Sequence, residues 1–198
     1  MEDPYNSRRM QFSPGPASPL LPPVPTIDTE RLTLRGPRRE DFEESAAMWA
    51  DPRVTHYVFG RALSREEAWA RLLRHVGHWA VQGFGCWVVR ERATGRFVGE
   101  VGLIGFQREL GERSAWFGEV PEAAWVLSPE SHGRGYASEA VQASLQWARE
   151  VLGVPRVVCI IDGENAPSLA VARKCGFEAR GEVTYRGEVV QAFERMLG

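Results

Sequence analysis

Hydrophobic positions along the chain change period in a way that lays out its elements. Leu32 and Leu34 alternate with Arg31, Thr33 and Arg35, a period of two that predicts a strand at 31–35. A short helix is expected over 41–50, stopped at Asp51-Pro52 because proline disfavours the helical conformation in the residue before it. Trp69, Leu72, Leu73, Val76, Trp79 and Ala80 recur at helical spacing behind the capping box of Ser64 and Glu67, which predicts an amphipathic helix at 65–81. Segments 86–90 and 96–104 read as a hairpin around Glu91-Arg92-Ala93-Thr94-Gly95, and 123–127 as a further short strand. A helix over 135–152 carries Ala140, Val141, Leu145 and Ala148 on one side and is stopped by Gly153 and Pro155. Strand 156–161 comes next. Asn165 then caps a helix with Pro167 in its first turn, ended by Gly176. Strands 177–184 and 189–196 form a closing hairpin.

This order predicts an α/β (α+β) mixed sheet, mostly antiparallel, with helices on both faces. Only the strand–helix–strand unit at 123–161 requires a parallel pair with a crossover. Residues 1–26 hold seven of the thirteen prolines and show no periodicity, so a flexible proline-rich tail is expected ahead of a single domain at 27–198.

Composition narrows the function classes. The chain of 198 residues is 43% hydrophobic and 25% charged, with a formal net charge of −2, which excludes a generally basic nucleic-acid coat. Cys86, Cys159 and Cys175 stand far apart and form no spaced metal motif with the four histidines. Lone thiols suit a reducing compartment, so a cytoplasmic protein is expected. No apolar stretch approaches the ~20 residues that cross a bilayer. The opening residues lack the apolar run of a secretory signal. No metal, membrane or nucleic-acid partner is expected, and a homodimer stays open.

The stretch that carries chemistry runs from Trp125 to Ala140. A strand ends, a glycine turn follows and a long helix starts. Gly133 and Gly135 permit backbone angles closed to other residues and leave room for a ligand against the main chain. The first N–H groups of the helix have no internal partners, so the turn suits phosphate oxygens, with Arg134 adding charge nearby. A Walker loop is excluded because no lysine stands here. A dinucleotide fingerprint fits poorly, since Ser138 takes the place of the third glycine and 128–132 intervenes after the strand.

These residues resemble the GNAT superfamily of acetyl-CoA-dependent N-acyltransferases. The family's Gln/Arg-x-x-Gly-x-Gly/Ala signature is matched by His132-x-x-Gly135-x-Ala137, with histidine departing from the pattern at the first position. Further likeness runs through Thr29–Arg35, Phe97–Leu103, Glu122–Glu130, Asn165-x-x-Ser168 and Cys175-Gly176-Phe177. The subgroup with the ribosomal-protein-alanine N-terminal acetyltransferases is the nearest in pattern. The resemblance implies a GNAT-like seven-stranded sheet in which the parallel fourth and fifth strands splay apart around acetyl-CoA. Main-chain groups of Val126 and Leu127 would then hold the pantetheine arm. His132, Gly133, Arg134, Gly135, Tyr136, Ala137 and Ser138 would surround the pyrophosphate, and Asn165 would reach a pantetheine amide.

The implied reaction is direct attack of a primary amine on a thioester, which needs a neutral amine, a donor to the oxyanion and a proton for the departing sulfur. Glu122 is the first candidate base, with Glu100 and Glu119 as weaker options. Ser168 is the candidate donor to sulfur, because the tyrosine many relatives carry one turn later falls here at Ala172. Tyr185, His56, His75 and His78 are read mainly as packing or surface residues. The acceptor is expected to be a protein N-terminal α-amine, an aminoglycoside or an amino acid, met by loops at 51–63, 78–86 and 106–121. The acids Glu109, Glu112, Glu119 and Glu122 suit a cationic acceptor, diluted by Arg108 and Arg113. A non-catalytic acyl-CoA-binding module is the alternative.

Overall fold

The computed structural model describes residues 23–110, 114–117 and 120–198. The proline-rich segment lies outside the described residues up to 22. Its end does not behave as a tail: the Trp87 indole donates to Pro25 O (2.8 Å), and Val24 packs on the core.

Among the described residues, eight strands form one sheet in the order β1-β2-β3-β4-β5-β6-β8-β7. They are β1 (Ile27–Asp28), β2 (Leu32–Arg35), β3 (Cys86–Glu91), β4 (Phe97–Ile104), β5 (Glu122–Leu127), β6 (Arg156–Ile161), β7 (Glu178–Tyr185) and β8 (Glu188–Met196). The extra strand relative to the expected seven is β1, two residues that pair with Thr33 and Leu34 at the sheet edge and are too short to show a period. Every neighbouring pair is antiparallel except β5–β6.

The helices are α1 (Phe42–Trp49), α2 (Pro52–Phe59), α3 (Arg65–Gln82), α4 (Ser114–Phe117), α5 (Tyr136–Trp147) and α6 (Ala166–Lys174). The segment expected as a loop at 51–63 is mostly α2. The Asp51-Pro52 pair that stops α1 also starts it: Asp51 Oδ1 accepts from Arg53 N (2.8 Å), Pro52 opens the first turn and Gly60 closes the helix at φ +68°. Likewise α3 runs to Gln82, into the expected loop at 78–86. Its capping box forms as the sequence predicts, with Ser64 N donating to Glu67 Oε2 (2.9 Å) and Glu67 N to Ser64 Oγ (3.2 Å).

Two layers cover the sheet. Val141, Leu145 and Ala148 on one side meet Leu32, Leu34, Val101 and Leu103. Ala46, Trp49 and Ala68 on the other meet Val88 and Phe97. Trp79, Trp87 and Trp147 pack edge to face, with centroids 4.8–5.6 Å apart. Among the described residues, no helix is long and apolar enough to cross a membrane.

Gly99 on β4 sits opposite Leu127, where the backbones approach too closely for a side chain. A Cβ there would collide with Val126 O and lie 2.7 Å from Leu127 Cα, both main-chain atoms that cannot swing away. Gly99→Ala should therefore displace the end of β5 and cost about 1–3 kcal/mol, read by chemical denaturation. Unchanged stability would show that β4 and β5 do not depend on this contact.

Candidate active site

The site begins where β5 and β6 part. The two strands are in register at one pair, Glu122 with Val158, where Val158 N donates to Pro121 O (3.1 Å). Each is held on its outer side instead, β5 by β4 from Gly99/Leu127 to Ile104/Glu122 and β6 by β8 along its length. Antiparallel strands alternate their main-chain groups between the two sides. Ser128 N bonds Val98 O (2.9 Å), so Ala124 and Val126 turn their main-chain groups toward β4 while Ala123, Trp125 and Leu127 turn theirs toward the gap. Of the two residues expected to hold the pantetheine arm, the main chain of Leu127 turns toward the gap, as that of Trp125 does, while that of Val126 turns toward β4.

At the glycine turn, Gly133 and Gly135 adopt φ +71° and +79°, and no other group lies within 4 Å of where a Gly133 side chain would stand. The first intrahelical bond of α5 runs from Glu139 N to Gly135 O (3.2 Å), so the N–H groups of Tyr136, Ala137 and Ser138 precede it and face outward. The flanking side chains are occupied. The Tyr136 ring is buried and its hydroxyl donates to Glu91, leaving only its main-chain N–H for a ligand. Arg134 Nη2 reaches Glu91 Oε1 (3.1 Å), with the guanidinium 4.8 Å from the Tyr136 ring. The His132 Nε2 lies 3.0 Å from Leu127 O, clipping the turn to the end of β5.

A cavity of about 690 Å³ opens beside the gap and brings together residues from α2, α3, β5, α6 and the β7–β8 hairpin. Glu122, Ser168, Asn165 and Tyr185 all line it. Glu122 is buried at 5% exposure and gripped at both oxygens by Arg108 (2.6 and 2.7 Å). Burial pushes its carboxyl up, against the downward pull of Arg108. Arg108 is itself sandwiched between Phe106 (4.1 Å) and Tyr185 (4.3 Å). Asn165 caps α6, its Oδ1 accepting from Ser168 N (3.1 Å). That leaves the Asn165 amide nitrogen and the Ser168 hydroxyl for other partners.

The other candidates sort differently. Glu100 does not line the cavity. It is buried at 4% exposure against Ser45 Oγ (2.6 Å), Trp49 Nε1 (3.2 Å) and His75 Nε2 (3.2 Å), because its place on β4 turns it under α1 and α3. Glu119, Glu112 and Arg113 lie outside the described residues. His56 is exposed on α2, and His78 lines the cavity. Sequence reasoning missed Arg71 and Arg74, which line the cavity from α3. Their spacing of three on a helix next to an apolar stripe is the signal that places them on one side. All three cysteines are buried and free, and among the described residues no group of three or more His, Cys, Asp or Glu is placed to hold a metal ion.

Burial alone would lower His75, but the neighbouring Cys86 and Glu100 carry it up to about 9. Burial would raise Glu100, yet His75, Arg71 and Ser45 bring it down to about 2. The pair is therefore ionised at neutral pH. The stabilisation from His75 is whole below its ordinary value of 6.5 and is gone once the pH passes about 9. Glu100 contributes above its ordinary value of 4.5 and loses that contribution as the pH falls toward about 2. Denaturation midpoints should fall between about pH 6 and 10, and His75→Gln should flatten that slope. A wild-type profile flat over the window would contradict the ion pair.

Comparison with known proteins agrees with this geometry. Residues 31–178 match the family model described as an acetyltransferase (GNAT) domain. The chain is 26% identical over 157 residues to p20, an uncharacterized N-acetyltransferase of Bacillus licheniformis, covering 79% of this chain and 84% of that one. It superposes on a GnaT-family protein from Bordetella pertussis with TM-score 0.75 and 32% identity, covering 86% of this chain and 99% of that structure. The chain belongs to the GNAT family of acetyltransferases. It is an N-acetyltransferase whose co-substrate is acetyl-CoA. Ribosomal-protein-S5-alanine acetyltransferase from Vibrio fischeri (TM-score 0.68, covering 86% and 96% of the two chains) shares the fold at 19% identity. Spermidine N-acetyltransferase from Vibrio cholerae, solved with CoA and spermine, does so too (0.67, 85% and 97%, also 19%). At that distance neither transfers an acceptor.

Proposed function

We propose that the cavity moves an acetyl group to an α-amine by direct attack in a ternary complex, the α-amine being that of a protein N-terminus or a small molecule. One observation carries the reading: Ala123 and Trp125, whose main chain faces the gap, line the same cavity as Glu122 and Ser168.

Acetyl-CoA supplies the activated carbonyl. The residues that suit it are the outward N–H groups at 136–138 for its diphosphate, and Trp125, Leu127 and Asn165 for its pantetheine arm. Main-chain N–H groups of β5 answer the negative charge that develops on the carbonyl oxygen. Ser168 Oγ is positioned at the first turn of α6 to give a hydrogen bond to the departing sulfur. Glu122 takes the amine proton through water, since both of its oxygens already hold Arg108 and keep one lone pair each.

The strength of base required favours an α-amine. With a pKa near 7.8, roughly 10–15% of a peptide α-amine is neutral at pH 7, against about 0.04% of a lysine amine. A carboxylate working through water suffices for the first and not for the second.

Thiol release across an amine panel tests this. Glu122→Gln should lower kcat/KM by about 100-fold and flatten its acid limb, and Ser168→Ala should lower kcat by roughly tenfold. Wild-type rates in both variants would remove these two residues from the chemistry.

A further inference from the structure

We infer that the acceptor amine carries a carboxylate, which Arg71 and Arg74 receive. The inference rests on the acetyl-transfer reading and assigns the far end of the same cavity.

The charges around the cavity do not cancel. Arg108 is closed on Glu122. Among the described residues Arg71 has Glu100 as its one ion-pair partner, at 3.7 Å, and Glu100 already holds the protonated His75. The Nε of Arg71 is buried with no hydrogen-bond acceptor, and its guanidinium is held 3.9 Å over the Trp49 ring. Its position is therefore fixed while its charge stays largely unanswered. Arg74 stands one turn further along α3 and makes no ion pair among the described residues; its guanidinium lies 6.0 Å from the Phe106 ring. Two guanidiniums three residues apart on one helix repel each other. Burial and then Arg71 push the basicity of Arg74 down, the direction that repulsion demands. Arg186 adds a third cation at the hairpin, against Glu109 and Asp162, the second of which accepts from Glu164 N (2.8 Å).

A planar carboxylate between Arg71 and Arg74 meets both forks at once and relieves the repulsion. His78, which burial and then His75 bring down to about 4, lies beside them as a neutral imidazole with its Nδ1 unpartnered. Phe59, Phe106 and Tyr185 offer apolar walls for the body of the molecule. At about 690 Å³ the space suits the first residues of a short peptide. A polyamine would bring further positive charge against these arginines. Of the acids that suit a cationic acceptor, Glu122 is closed on Arg108, Glu109 lines the cavity, and Glu112 and Glu119 lie outside the described residues.

The test compares dipeptides with their C-terminal amides and with spermidine, by thiol release, so that the reacting amine stays alike while the carboxylate is removed. The carboxylate form should exceed its amide about tenfold or more in kcat/KM. Arg74→Gln should bring that ratio near one, acting through KM, and Arg74→Lys should keep part of it. Arg74 is chosen because it makes no ion pair among the described residues and its loss leaves the buried pair of His75 and Glu100 intact. Equal or better use of amides or spermidine, or a ratio indifferent to Arg74→Gln, overturns this inference and leaves acetyl transfer standing. Silence from every amine overturns both.

Discussion

The parting of β5 from β6 is the constraint on which the rest of the molecule depends. Main-chain N–H and C=O groups inside a protein are costly to leave without partners. Here a strand in the middle of the sheet keeps one side of its ladder open past Glu122 and Val158. The arrangement holds because each strand is anchored outward, β5 on β4 and β6 on β8. Gly99 lets β4 approach the end of β5 closely enough to fix it. His132 then ties that end to the glycine turn through Leu127 O. Two sets of unpartnered amides, on the strand and at the start of α5, are thereby held in one rigid relation. The ligand proposed for them, with an amide-bearing arm and a diphosphate, would complete both.

Charge is organised around this opening by pairing. All but one of the 24 basic residues are arginine, and many close on a carboxylate that links two elements. Arg35 and Arg90 meet on Asp41, and Arg156 and Arg180 on Glu194. Arg108 with Glu122 does the same at the cavity wall. The ionised pair of Glu100 and His75 lies beneath, joining β4 to α3. Among the described residues lining the cavity, Arg71 and Arg74 from α3 have no carboxylate closed on them as Arg108 has Glu122.

Much of the fold was legible because its signals are local. Period two at Leu32 and Leu34, the Ser64–Glu67 box and the Asn165-x-Pro167 helix start each state their element within a few residues, and each forms. The strand–helix–strand unit announced the parallel pair, and the glycine turn announced the free amides. What stayed hidden is long-range. That Glu100 faces inward and Glu122 into the cavity depends on which side of the sheet α1 and α3 cover. That Val126 bonds β4 while Trp125 and Leu127 do not depends on register, which one bond from Ser128 to Val98 sets across 30 residues. The bidentate grip of Arg108 on Glu122, across 14 residues, was likewise beyond local reasoning.

Amide hydrogen exchange with and without coenzyme A tests the central claim most directly. Main-chain groups at 123–127 and 133–138 should gain protection together, with the β7–β8 hairpin tip changing less. Protection confined to other segments, or none at these two while the ligand is bound, would contradict the assignment of the split sheet and the turn as one binding surface.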